Sequence, residues 1–166
     1  MKKTLLLSIA VLFLAGYCVA QQQLSFPFQG GKEVMTKFFK DNVVVSPEII
    51  QKRAVGIVIF KFTADIKGKI TKMVIYYADD AVFAEPVADA IKKSNHKWVI
   101  PDYEKSHDYI IPFSFSFNTP VADTVEMEKP FYDGYRSRKP ITTNNQVPLD
   151  LATLLPPVIV KYDITR

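Results

Sequence analysis

Few side chains in this sequence have a type and spacing that could do covalent or metal chemistry. The histidines, His96 and His107, stand at the two ends of a polar stretch, and the pattern reads as solvated loop histidines. No His-x-x-x-His or Cys-x-x-Cys spacing accompanies them, so no metal site is expected. Asp79-Asp80 is a pair of adjacent carboxylates. Neighbours on a strand point to opposite faces, so the pair reads as a solvated strand end rather than an acid/base couple. No Gly-x-Ser-x-Gly elbow, phosphate loop or dinucleotide fingerprint occurs. Trp98, Tyr76-Tyr77 and Phe38-Phe39 read as packing residues. The expectation is a protein with no catalytic residues, no cofactor and no metal.

The remaining source of chemistry is unpaired backbone. Residues 109–117 alternate, with Tyr109, Ile111, Phe113, Phe115 and Phe117 on one face and Ile110, Pro112, Ser114 and Ser116 on the other. That pattern predicts a half-buried strand. A proline donates nothing to a ladder and is largely confined to edges and bulges, so Pro112 predicts an edge strand.

The elements that would carry this strand are legible in the rest of the pattern. Residues 32–41 predict a short amphipathic helix with Val34, Met35, Phe38 and Phe39 on one face. Ser46 before Pro47 suits the cap and first position of a helical turn. Residues 55–63 and 69–77 are rich in β-branched and aromatic types, and the Asp65-Ile66-Lys67-Gly68 turn between them predicts a hairpin. The first of these strands is apolar on both faces, as a central strand under helices would be. Glu85-Pro86 opens a second helix, with Val87, Ala90 and Ile91 as its packing stripe. The expected fold is α+β: a three-stranded antiparallel sheet with two main helices on one face. Prolines at 120, 130, 140, 148, 156 and 157 break up the remainder of the chain, and residues 118–150 read as loop or disordered. Residues 154–162 are too apolar to lie idle in water and predict a further strand. Within it Val158, Ile159 and Val160 could pair with the edge of residues 109–117, in the same chain or in a neighbour's, plugging the edge or building a homodimer.

The chain opens as an export signal does. Lys2 and Lys3 precede an apolar run over residues 5–16, and Ala20 before Gln21 is a suitable cleavage point. The run is short for a membrane span. An uncleaved anchor is the alternative, and a lipid on Cys18 is disfavoured by the bulky Tyr17 before it. Cleavage would remove the only cysteine, leaving no disulfide. It would also take two lysines and no acid, lowering the formal balance from +4 to +2. No block of like charge argues for nucleic acid. The expected organisation is a signal peptide (1–20), a short lead (21–29), a domain (30–118) and a proline-rich tail (119–166) with a possible strand at 154–162.

In order and spacing, these landmarks resemble the C-terminal domain of the TonB family of periplasmic energy transducers. They are Gly30-Gly31 before the first helix, Pro47, Gly56, Gly68 in the hairpin turn, Trp98, and Tyr109-Ile110-Ile111-Pro112-Phe113-Ser114-Phe115 closing the sheet. The resemblance implies a periplasmic protein-binding module whose closing strand accepts an extended peptide, such as one from an outer-membrane receptor, by β-augmentation. Ile110, Pro112, Ser114 and Ser116 would be its partner-facing set. The family's transducers carry a membrane helix and a long proline-rich spacer, whereas here the leader reads as cleavable and only the short lead of residues 21–29 separates it from the first helix. The family's Trp-x-Pro is loosened to Trp98-Val99-Ile100-Pro101. Two alternatives stand beside this reading: a membrane-anchored transducer component, and a passive envelope protein with a self-capped edge.

Overall fold

The computed structural model describes residues 26–118, 124–143 and 151–164. The leader expected over residues 1–20, with its cleavage point at Ala20 and Gln21, lies outside the described residues. Among those described, no helix is long and apolar enough to cross a membrane.

The chain is α+β. Helix α1 (Gly31–Asn42) and the short α2 (Pro47–Gln51) lead into a hairpin of β1 (Gly56–Asp65) and β2 (Ile70–Ala78). A 3₁₀ turn (Ala81–Phe83) and α3 (Ala84–Lys93) precede β3 (Ser106–Phe117). Helix α4 (Thr124–Arg136), β4 (Ile141–Thr142), β5 (Thr153–Leu154) and β6 (Val158–Tyr162) complete the chain. The sheet has six strands in the order β4-β2-β1-β3-β5, with β6 also on β3. The expected three-stranded sheet is thus only its centre, because the tail adds three short strands. Residues 118–150 are not wholly irregular either, since α4 and β4 fall within them. Pro130 does not prevent the helix. Phe131 packs on Phe117, and Gly134 lets the backbone run against the carbonyl of Lys52, so tertiary contact offsets the local penalty.

Local chemistry explains the central elements. Ser46 Oγ accepts from Ile49 N at 3.3 Å and caps α2, with Pro47 at its first position. The hairpin turn is tied by Asp65 Oδ1, which accepts from Lys67 N and Lys69 N at 2.8 and 2.9 Å. These bonds hold the Asp65 carboxyl below its ordinary value. Gly68 sits there at φ 68°, and a Cβ would stand 2.5 Å from the carbonyl oxygen of Trp98. Only glycine fits this position.

One face of the sheet and the helices form the core. Met35 and Phe39 of α1, Val87, Ala90 and Ile91 of α3, and Val58, Phe60 and Phe62 of β1 are all buried. Val34, expected on the buried face of α1, is instead exposed, because the helix seats on Met35 and Phe39 with Phe38 packing beside them. Trp98 is the hub of an aromatic cluster, with ring centroids 4.6 Å from Phe62, 5.1 Å from Phe28 and 5.2 Å from Tyr109. Its indole N–H donates to Ser94 Oγ at 2.9 Å, which in turn donates to Ile91 O. The buried polar edge is thereby satisfied.

Candidate functional site

The strand expected to be an edge is interior. β3 pairs with β1 over Ser106 to Phe115, and on its other side with β5 and β6 in parallel. Val158 lies opposite Phe113, Ile159 opposite Ser114 and Val160 opposite Phe115. The tail thus occupies the backbone groups that were expected to be open to a partner.

The direction of those groups is given by two bonds. Leu155 N donates to Ile110 O at 2.8 Å, and Asn118 N donates to Tyr162 O at 2.9 Å. Backbone groups alternate sides along a strand, so Ile110, Pro112, Ser114 and Ser116 turn theirs to the tail and their odd-numbered neighbours turn theirs to β1. The side chains of those four lie half-buried on the sheet face opposite the helices.

How a proline comes to sit inside a sheet is explained by its neighbours across the ladder. Leu154 lies opposite Ile110 and Val158 opposite Phe113, so the tail has one residue more than β3 between these points. The extra length falls at Pro156-Pro157, beside Pro112. Three residues without N–H groups meet at one break in the ladder, and the break strands no donor there. Edge and interior bulge are both places a proline tolerates, and one strand's sequence does not tell them apart.

The tail is built into the core. Val158, Val160 and Tyr162 are buried, and Tyr162 Oη donates to Ala54 O at 2.6 Å. Burial pushes the Tyr162 phenol up to about 12. At roughly 1.5–3 kcal/mol for each large apolar side chain, these residues hold β6 firmly.

A second fastening joins β5 to β3. His107 is 9% exposed and belongs to β3, so it is not the solvated loop residue that the sequence suggests. Its Nδ1 lies 2.6 Å from Glu104 Oε2, and its Nε2 lies 2.7 Å from Thr153 Oγ1. A carboxylate orients the imidazole and the imidazole holds a hydroxyl of the tail. Thr153 is too far away in sequence for local spacing to have revealed this constellation. On the open face, Lys61, 8% exposed, pairs with Asp108 at 2.7 Å, and Thr63 Oγ1 donates to the same carboxylate. Burial pushes Asp108 up, but Lys61, Thr63 and His107 outweigh it and hold the group below its ordinary value.

With β3 enclosed, the sheet's own edges are β6 on one side and β2 with β4 on the other. β6 is five residues long, carries Lys161 and comes directly after Pro157, all features that blunt an edge. β2 is nine residues long, and β4 covers only Tyr77 and Ala78. By the same alternation, the odd-numbered residues of β1 face β2. Their partners Lys72, Val74 and Tyr77 therefore face β1, and Met73 and Ile75 turn their backbone groups outward. Ile70 N is satisfied by Asn95 Oδ1 at 2.7 Å and Tyr76 O by Thr143 N at 3.4 Å. Between these stops, no strand among the described residues pairs with the outer side of Met73 or Ile75.

The adjacent carboxylates have separate tasks. Asp79 accepts from Ile57 N at 2.7 Å and from Tyr77 Oη at 2.6 Å. Asp80, expected from its sequence position to be solvated, is 1% exposed and caps the 3₁₀ turn through Val82 N at 3.3 Å. No cluster that could hold a metal ion occurs among the described residues.

No family model matches the chain, and neither the curated proteins nor the solved structures contain a match. The likeness to the TonB family therefore rests on the sequence landmarks alone.

Proposed function

We propose that this protein is an exported, periplasmic protein-binding module that recognises an extended segment of an envelope partner by strand addition. The observation that carries the reading is the outer edge of β2, left without a paired strand at Met73 and Ile75 among the described residues, where these two direct backbone donors and acceptors away from the sheet. Main-chain bonds at such an edge supply affinity, and alternate side chains supply selectivity. The likeness to the TonB family supports the binding mode, and the expected leader supports the compartment. The edge differs from the one expected, because displacing β6 from β3 would expose Val158, Val160 and Tyr162.

The test is photocrosslinking in intact cells from a reactive residue at exposed Lys72, with and without Met73→Pro. A discrete partner captured by the parent and lost in the folded proline variant supports strand addition. Equal capture by both variants overturns it. N-terminal sequencing of the mature protein is expected to begin at Gln21.

A second reading is favoured by the tail itself. A chain that seals β3 with its own C-terminal strands also suits a structural envelope protein with no strand-adding partner. Absence of any discrete crosslink from Lys72 would favour it.

A further inference from the structure

The segment around Val44, α2, the 3₁₀ turn and the start of α3 enclose an open cleft of about 750 Å³. That is the size of a ligand pocket. Val44, Pro47 and Pro86 give it apolar walls, and Glu48, Glu85 and Asp89 give it carboxylates. With Asp80 the cleft has four acids against two lysines, Lys52 and Lys139, on a chain whose formal balance is +4.

The acids are unequally matched. Lys52 is engaged by Glu48 at 2.8 Å, and Asp89 by Lys92 at 2.9 Å. Glu85 is paired with no cation among the described residues. Asp80 stands out, because Oδ1 caps the 3₁₀ turn while Oδ2, shut off from solvent, has no hydrogen-bond partner. A buried carboxylate oxygen left unsatisfied is costly, so a cation brought close to it is favoured. The Lys52 ammonium already feels this field. Glu48 foremost, and Asp80 in the same direction, hold it above its ordinary value against partial desolvation.

A smaller cleft of about 300 Å³ shares Val44, Pro86 and Asp89 with the first and runs on to Lys92 and Lys93. The two are continuous, with Val44 66% exposed in their shared wall. Since Lys92 and Lys93 line only the smaller cleft, the excess of acids belongs to the end beside Asp80 and Glu85. A groove that sets apolar walls beside carboxylates suits a side chain on a peptide better than a free ion.

We propose that this groove seats a lysine or arginine side chain of an extended protein segment, with the cationic head near Asp80 and Glu85 and apolar neighbours against Val44 and Pro86. The site is separate from the β2 edge, and neither depends on the other.

The test titrates the full chain with acetyl-Leu-Lys-Leu-amide, its norleucine counterpart and spermidine, monitored by ¹⁵N NMR. The lysine peptide is expected to shift the Val82 and Glu85 amides, and the norleucine peptide to leave them still. Asp80→Asn keeps the capping oxygen and removes the charge, and Glu85→Gln leaves the buried group untouched. Either variant, if folded by circular dichroism, is expected to weaken the lysine peptide about tenfold. Equal binding of the norleucine peptide overturns the cation seat. Undiminished binding in folded Glu85→Gln, or tighter binding of spermidine than of the peptide, overturns the assignment to a peptide side chain near these carboxylates. Failure of the lysine peptide to shift either amide overturns it outright.

Discussion

The two sides of this sheet have met the same physical problem differently. Beyond β3, the chain supplies its own strands: β6 completes the ladder, places Val158, Val160 and Tyr162 in the core, and is joined by β5 through His107 and Thr153. Beyond β2, the described residues supply only two residues of β4 and single bonds from Asn95 and Thr143. An exposed ladder invites pairing with another chain, so a filled side and an unfilled side have different prospects. A strand's alternation therefore shows which face it buries, while its status as an edge depends on what arrives from elsewhere in the chain.

Removing residues 158–166 gives the strongest test of this contrast. The truncated protein is expected to lose roughly 5 kcal/mol or more, from the burial of its three large side chains, and to fail to show a cooperative urea transition. A transition within about 1 kcal/mol of the parent would show that β6 merely rests on β3.

A pair of proline substitutions compares the two sides directly. Ser114→Pro removes a donor that faces β6 and is expected to cost about 3 kcal/mol, whereas Met73→Pro removes one that faces outward and is expected to cost about 1 kcal/mol. Chemical denaturation of both variants decides, and equal costs would mean that the β2 edge is covered.

His107→Ala is expected to cost about 1–3 kcal/mol by leaving Glu104 and Thr153 without their partner. Amide exchange at Leu155 should accelerate while that at Val160 stays slow. Uniform acceleration would show that β5 and β6 open as one unit.

The smallest effect concerns Asp108. Its folded pKa is depressed, so its contribution is fully present above the unfolded carboxylate value near 4 and is lost as the pH falls through the folded value. Asp108→Asn should therefore flatten the stability profile below about pH 4 and change little of its slope above it. An unchanged acid limb would assign that sensitivity to other carboxylates.

Local rules made much of the centre legible. The Ser46-Pro47 start of α2, the Asp65 to Gly68 turn, the paired hairpin strands and the alternation of β3 depend on residues a few positions apart, and steric and capping rules act over that range. The candidate edge was harder to read. Pro112 fits an edge and an interior bulge equally well, and Pro156-Pro157, which settle the matter, lie far along the chain. Asp80 and His107 looked solvated because burial comes from elements that pack over them.

The α+β class, the hairpin, helices α1 and α3 and the face that most elements bury were written in the residues themselves, because periodicity and turn chemistry are local, whereas α4 was not. Long-range packing was needed to close β3 in parallel with the tail, to leave the outer side of β2 unpaired at Met73 and Ile75 among the described residues, and to enclose Asp80 and His107. Those outcomes depend on contacts between distant segments, which are chosen by the burial of side chains such as Val158 and Tyr162 and by the pairing of backbone donors that burial shuts off from water.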